Sequence, residues 1–293
     1  MNKIRQETDA PWKYILSKYF KSFMELCWEN RAKEINWNKK PKFLDKELLK
    51  ITKEAAIGNR VVDKLIEVEL IDGKRCCILI HLEVQIVKHE DFSKRMFTYR
   101  YRLRDYYNQP IASMAILLDD DLSWRPCSYS ENLWDSEISM RFPIIKLIDY
   151  NEKIQALEQS TNPFAIIILA QLTALKKQEV ELKLASKLQI TRKLYNSGFN
   201  SKEIMELFKF IDWIISLPKE SEIKYMRNLA KLEKEEFGKN FICPAEQIWM
   251  EQGIEQGIER VACNMLAKGM SVRDVVKFTG LSTAIIKGLK TEK

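Results

Sequence analysis

Apolar residues recur at helical spacing from Trp12 through Ile15, Leu16, Tyr19, Phe20, Phe23 and Cys27. That stripe predicts one helix of about five turns packed on a wide apolar face, with Asp9 as its cap and Pro11 in its opening turn. Asn38–Pro41 breaks the pattern, and Phe43–Glu54 is a short amphipathic segment carrying Leu44, Leu48, Leu49 and Ile51. The period then changes from helical to alternating. Arg60–Leu70 is rich in Val, Ile and Leu, and Asp72-Gly73 is a hairpin signal. In Arg75–Val87 one face carries Ile78, Ile80, Leu82, Val84 and Ile86, while the other carries Cys77, Leu79, His81, Glu83, Gln85 and Val87. One face is therefore wholly apolar and the other turns polar toward its end. Asp91–Asn108 predicts a helix rich in Arg and Tyr. Ala112–Leu118 predicts a strand ended by Asp119-Asp120-Asp121. Trp124–Trp134 reads as a loop with extended pieces, and Arg141–Leu147 as a last strand. From Asn151 onward the three- to four-residue period takes over, with breaks at Leu217-Pro218 and Phe241–Pro244. The expected organisation is an α/β domain over residues 1–150, a helical region over 151–250 and a tail over 251–293.

Composition narrows the chemistry. The 293 residues include 48 Lys+Arg and 41 Asp+Glu, a net charge of +7 that points only weakly to a polyanion. Two His exclude a His-rich metal site, and none of the six Cys forms a C-x-x-C pair, which argues against structural zinc. With a polar N-terminus and no signal peptide, the cysteines read as reduced thiols of a cytoplasmic protein. The longest apolar run, Pro163–Leu175, is interrupted by Gln171 and is shorter than the roughly 20 residues a bilayer needs, so no membrane association is expected. A catalytic metal would be held by carboxylates, which suit Mg²⁺ or Mn²⁺.

The residues that stand out are Asp63, Glu83 and Gln85. Asp63 interrupts a Val-rich strand, and Glu83 and Gln85 lie two apart on one face of the next. Two carboxylates brought together repel unless a cation lies between them. Sharing a face makes a demand on the hairpin. A two-residue turn at Asp72-Gly73 would set residue 63 opposite 82 and turn Asp63 away from Glu83. A three-residue loop, Ile71–Gly73, would set 63 opposite 81 and align Asp63, His81, Glu83 and Gln85. The expectation is therefore an odd-length loop or a bulge. A solvated or Arg-paired strand carboxylate is the competing reading, and His81 is more simply a packed histidine than a ligand.

Val61-Val62-Asp63-Lys64-Leu65, Leu79-Ile80-His81-Leu82-Glu83-Val84-Gln85 and Phe92-Ser93-Lys94-Arg95-Met96-Phe97-Thr98-Tyr99 together resemble the recombination-promoting nuclease and transposase-like family of the PD-(D/E)xK nuclease superfamily. The resemblance extends through Asp9–Lys13, Phe43–Leu48, Trp124-Arg125-Pro126, Asn162-Pro163-Phe164-Ala165 and Glu251–Gly257, and so covers most of the chain. It implies a restriction-endonuclease-like αβββαβ core and Mg²⁺-dependent cleavage of DNA. By that resemblance Asp63 is the metal-binding Asp, Glu83 the acid of the (D/E)-x-K motif, and Gln85 stands where the superfamily usually has Lys. Gln carries no charge to stabilise an oxyanion. Lys64, Lys94 or Arg95 could supply it, and Glu47, or less favourably Asp45, could complete the acidic set.

Six Lys/Arg against two acids lie between Lys88 and Arg104, interleaved with Tyr99 and Tyr101, as suits a nucleic-acid surface; a solvated helix face is equally compatible. Glu251–Glu259 repeats every four residues, with Gly253 and Gly257 on one stripe, which offers either homo-oligomer contact or a solvated helix. Ser271 and Gly280 read as helix caps within a helix-turn-helix-like tail that could contact DNA. A metal-dependent DNA endonuclease promoting recombination is the leading expectation. A catalytically inactive DNA-binding protein of the same fold and an interaction protein of a defence or regulatory module are the alternatives.

Overall fold

The computed structural model describes the backbone of residues 11–46, 48, 63–71, 78–85, 87–236, 257–283, 285–286 and 288, and the side chains of all of these except 63, 78, 79, 82 and 83. The Asp72-Gly73 turn, Glu47 and Gly253 lie outside the described residues.

The first apolar stripe forms two helices, α1 (11–18) and α2 (Phe20–Cys27), followed by a single turn, α3 (Glu29–Ala32). The expected continuous helix is interrupted at Tyr19, whose backbone leaves the helical region at φ −114° and ψ 30°. Its phenol donates a hydrogen bond to Glu206, 187 residues away, a tertiary tie that local periodicity does not carry.

The strands β1 (Lys42–Phe43), β2 (Asp63–Val68), β3 (Ile78–Gln85) and β4 (Ile111–Leu117) form a mixed sheet with a short β7 (Ile144–Lys146), in the order β1-β2-β3-β4-β7. The first three are antiparallel; β3 pairs with β4, and β4 with β7, in parallel. Helix α4 (Phe92–Tyr107) makes the crossover between the parallel strands β3 and β4. The αβββαβ order implied by the resemblance is the one present. Between β4 and β7 lies a separate hairpin, β5 (Ser128–Leu133) and β6 (Ser136–Arg141), where a loop with extended pieces was expected. The hairpin is solvated on nearly every position, so neither strand carries alternating burial that would mark it.

One sheet face packs on α4. Leu65, Leu103 and Ile111 join Leu44 and Leu48 in one cluster; Phe92, Met96, Ala115 and Leu117 join Met140 and Phe142 in another. Beyond the sheet run α5 (Ile154–Gln159), α6 (Pro163–Leu175), α7 (Val180–Asn196), α8 (Ser201–Ile214) and α9 (Lys219–Glu236). Helix α6 is buried all round from Phe164 to Thr173, which makes it a core helix. Trp12 sits edge-on to Phe164 and Phe210, and its indole N–H donates to Gln171 at 3.1 Å. These contacts carry the core past the expected boundary at residue 150, and one compact unit spans Met1–Asn228.

The second unit, Leu229–Lys293, includes the helices α10 (257–267) and α11 (Val272–Thr279) and a final helical segment, α12, from 283 to 288. Ser271 caps α11 by accepting from the Asp274 N–H, and Gly280 ends it at φ +73°, as the sequence predicts. Ala262, Val275 and Ile286 close a small core. A methyl group at Gly257 would meet nothing within 4 Å, so among the described residues this glycine serves no close approach.

Candidate active site

The hairpin register decides whether the two acidic positions share a face. Asp63 lies directly opposite Glu83, Leu65 opposite His81, and Val68 opposite Ile78. The register has the parity that an odd-length loop demands. It is shifted by two residues from the expected alignment, which put 63 opposite 81. Because side-chain direction repeats every two residues, the shift keeps Asp63, His81, Glu83 and Gln85 on one face. It also brings positions 63 and 83 into direct opposition, where Cα atoms lie about 4.5–5.5 Å apart. Such a pair of acidic positions is a donor set of hard oxygens, of the kind that suits Mg²⁺ or Mn²⁺.

Gln85 is on that face, 3% exposed, and held at both ends of its amide. Its Oε1 accepts from Arg95 Nη2 at 2.5 Å, and its Nε2 donates to the Val87 carbonyl. Arg95 comes from the first turns of α4, is itself buried, and lies over the Phe92 ring at 5.3 Å. Positions 92, 95, 96, 99 and 103 form the buried stripe of α4. Arg95 therefore faces the sheet beside Gln85. Of the three cations considered for the missing charge, Arg95 is the one placed next to Gln85.

The other two are elsewhere. Lys64, adjacent to Asp63 in sequence, points to the opposite face. It is buried, and its ammonium donates to Asp45 and, at 2.6 Å, to Ser17 Oγ. It ties the Asp45 turn to α1. Asp45 is thereby engaged as well, also accepting from the Leu65 N–H. Lys94 is exposed on α4. Tyr99 is a core residue, edge-on to the fully buried His81 with ring centroids 5.5 Å apart, so it presents no surface to DNA.

A buried ion pair that the sequence did not reveal lies at the ends of the parallel strands. Lys146, in register with Leu117 and through it with Gln85, donates to Asp119 Oδ1 at 2.6 Å and to the Trp124 carbonyl at 2.9 Å. The signal was present only as a Lys inside the apolar run Ile144–Ile148. Asp119 Oδ2 is buried with no hydrogen-bond partner among the described residues. In the next turn, Asp121 accepts from the Ser123 hydroxyl and N–H and from Lys88. Those bonds, Ser123's first, hold its carboxyl well below the usual carboxylate range. Lys88 is thus paired and Arg95 buried, so the basic surface of α4 rests on Lys94, Arg100, Arg102 and Arg104.

No described helix is long and apolar enough to cross a membrane. Residues 255–291 match the model of the Rpn/YhgA-like nuclease family, C-terminal HTH domain. That segment covers α10 to α12, and the match supports the recombination-promoting nuclease family and suggests DNA binding. No curated protein and no solved structure matches the chain.

Proposed function

With the Rpn/YhgA-like nuclease family supported by the C-terminal match, we propose that the chain is a metal-dependent DNA endonuclease of the PD-(D/E)xK type that promotes recombination. The observation that carries this is the direct opposition of Asp63 and Glu83 on the face that also bears Gln85, with Arg95 of α4 bonded to Gln85.

Asp63 and Glu83 would hold Mg²⁺ or Mn²⁺, which when bound supplies charge neutralisation at the scissile phosphate and acidifies a water. Gln85 is fixed by Arg95 and by the Val87 carbonyl, which leaves one amide hydrogen and one lone pair to orient a water or a phosphate oxygen. Arg95 adds a permanent positive charge in a buried setting, where a cation acts more strongly on developing negative charge than it would in water. Together Gln85 and Arg95 do the work that the superfamily assigns to one Lys. The helix-turn-helix unit would bring the chain to DNA, and hydrolysis would break one P–O bond of the backbone with water as the nucleophile.

The test is nicking of supercoiled plasmid with Mg²⁺ and with EDTA, by the wild type and by Asp63→Ala and Glu83→Ala. Nicking is expected only for the wild type with Mg²⁺. Undiminished nicking by either variant would overturn the assignment. The buried, uncharged Gln85 favours one rival, a nuclease fold retained for DNA binding alone. In that case the wild type would shift duplex DNA in a salt-dependent manner and never nick it.

A further inference from the structure

A cavity of about 720 Å³ opens beside the first half of β4. Its apolar lining includes Met24, Ile80 and Met114, and Arg31, Arg100, Arg104 and Arg141 are set around them from α3, α4 and β6. Glu34 is the one acidic lining residue, and it is already paired with Arg31 at 2.7 Å. Arg104 and Arg141 are exposed and make no side-chain hydrogen bond or ion pair with the described residues. Ser113 lines the same cavity, and its hydroxyl is buried without a hydrogen-bond partner among the described residues.

Why the cavity exists follows from the sheet. Strand β7 pairs with β4 only from Ala115 onward, so among the described residues Ile111–Met114 has no strand paired on that side. An added peptide strand is a poor occupant. The Ile111 carbonyl already accepts from Arg100, and the Ala115 N–H already donates to the Pro143 carbonyl, so both ends of the edge are taken. What remains open is the arginine rim and the apolar floor. Guanidinium forks match phosphate oxygens two by two, and an apolar floor accepts the face of a base.

We propose that this cavity is a nucleotide-binding subsite that holds a single-stranded segment of DNA, with Arg104 and Arg141 on its phosphates. The choice of a DNA strand as the source of the nucleotide rests on the nuclease reading above. The subsite would fix the strand at a distance from the reacting phosphate and so orient it toward the carboxylate face.

The experiment uses the full chain in EDTA, so that nothing is cleaved. Fluorescence anisotropy of a labelled single-stranded DNA of about 12 nucleotides is followed over a KCl series. Wild type is compared with Arg104→Ala/Arg141→Ala and with Arg104→Lys/Arg141→Lys, and thermal unfolding confirms that each is folded. Losing two phosphate contacts should flatten the slope of log K against log[KCl] by about 1.4 in the alanine variant. The lysine variant should keep the slope and bind more weakly. Duplex binding through the helix-turn-helix unit should be unchanged. Displacement of the labelled strand by a deoxynucleoside monophosphate would show that a free nucleotide also fills the subsite. An alanine variant with wild-type affinity and slope would overturn the subsite alone. A wild type that binds neither single strand nor duplex would overturn the DNA reading together with it.

Discussion

Replacing Arg95 with Ala separates a charge that serves the site from one that merely fills the core. The substitution removes a charge-assisted hydrogen bond to Gln85 Oε1, worth about 1.5–3 kcal/mol, and leaves that buried oxygen without its donor. It also removes a cation lying 5.3 Å from the Phe92 ring centroid, worth about 0.5–1 kcal/mol. A total near 3 kcal/mol should lower the unfolding temperature by roughly 6–12 °C, since a domain of this size shifts by about 2–4 °C per kcal/mol. The protein would still be folded at 25 °C. There the initial rate of Mg²⁺-dependent plasmid nicking should fall by about 10²–10³, the usual cost of losing one preorganised electrostatic group. Arg95→Lys, which keeps the charge without the fork, should recover part of the rate. Gln85→Lys in the Arg95→Ala background should recover more, because it returns a cation to the strand itself. A folded Arg95→Ala protein that nicks at the wild-type rate would refute the idea that Arg95 supplies the charge Gln85 lacks.

Three further outcomes are expected. Lys187 is fully buried and donates to Asp212 and Glu222, both at 2.9 Å, so Lys187→Met should cost about 3 kcal/mol in urea unfolding by stranding two carboxylates. Replacing all three residues with apolar ones should recover most of that loss, and a single variant costing under about 1 kcal/mol would show that the carboxylates find other solvation. Trp134 is 96% exposed at φ +53° in the two-residue β5–β6 loop; Trp134→Gly should relieve about 0.5–1 kcal/mol net. That should slow amide exchange in the hairpin two- to fivefold, whereas unchanged exchange would mean that the turn carries no strain. Burial pushes the Cys27 thiol up to about 12, while Cys127 is exposed. Iodoacetamide at pH 8 should therefore label Cys127 well before Cys27 by peptide mass spectrometry, and equal labelling would contradict the burial of Cys27.

Much of the candidate face was legible because it depends on parity. Alternation along β3 and an odd-length connection suffice to put residues 63, 83 and 85 on one side. The same parity places Lys64 on the other side, and helical spacing places Arg95 and Tyr99 on the buried stripe with Phe92, Met96 and Leu103. Both facts follow from local spacing, although the basic and aromatic composition of the segment also reads as a nucleic-acid surface. The alignment of the hairpin to within two residues was not legible, because its connection is read from turn chemistry alone. The Asp119–Lys146 pair was not legible either. It joins residues 27 apart and exists only because β7 pairs with β4. The β5–β6 hairpin escaped for a third reason: solvent covers both of its faces, so nothing selects an alternating pattern. In the tail, by contrast, Ser271 and Gly280 mark their helix ends through local backbone chemistry, which needs no tertiary context.

In the proposed function, Asp63 and Glu83 hold a divalent cation between β2 and β3. Crystals of the wild type soaked in Mn²⁺, with anomalous diffraction collected near the manganese edge, test it directly. A peak bridging the two carboxylates, lost in Glu83→Ala crystals, is the expected result. A peak elsewhere, or none between these residues in protein that nicks DNA with Mn²⁺, would contradict the account.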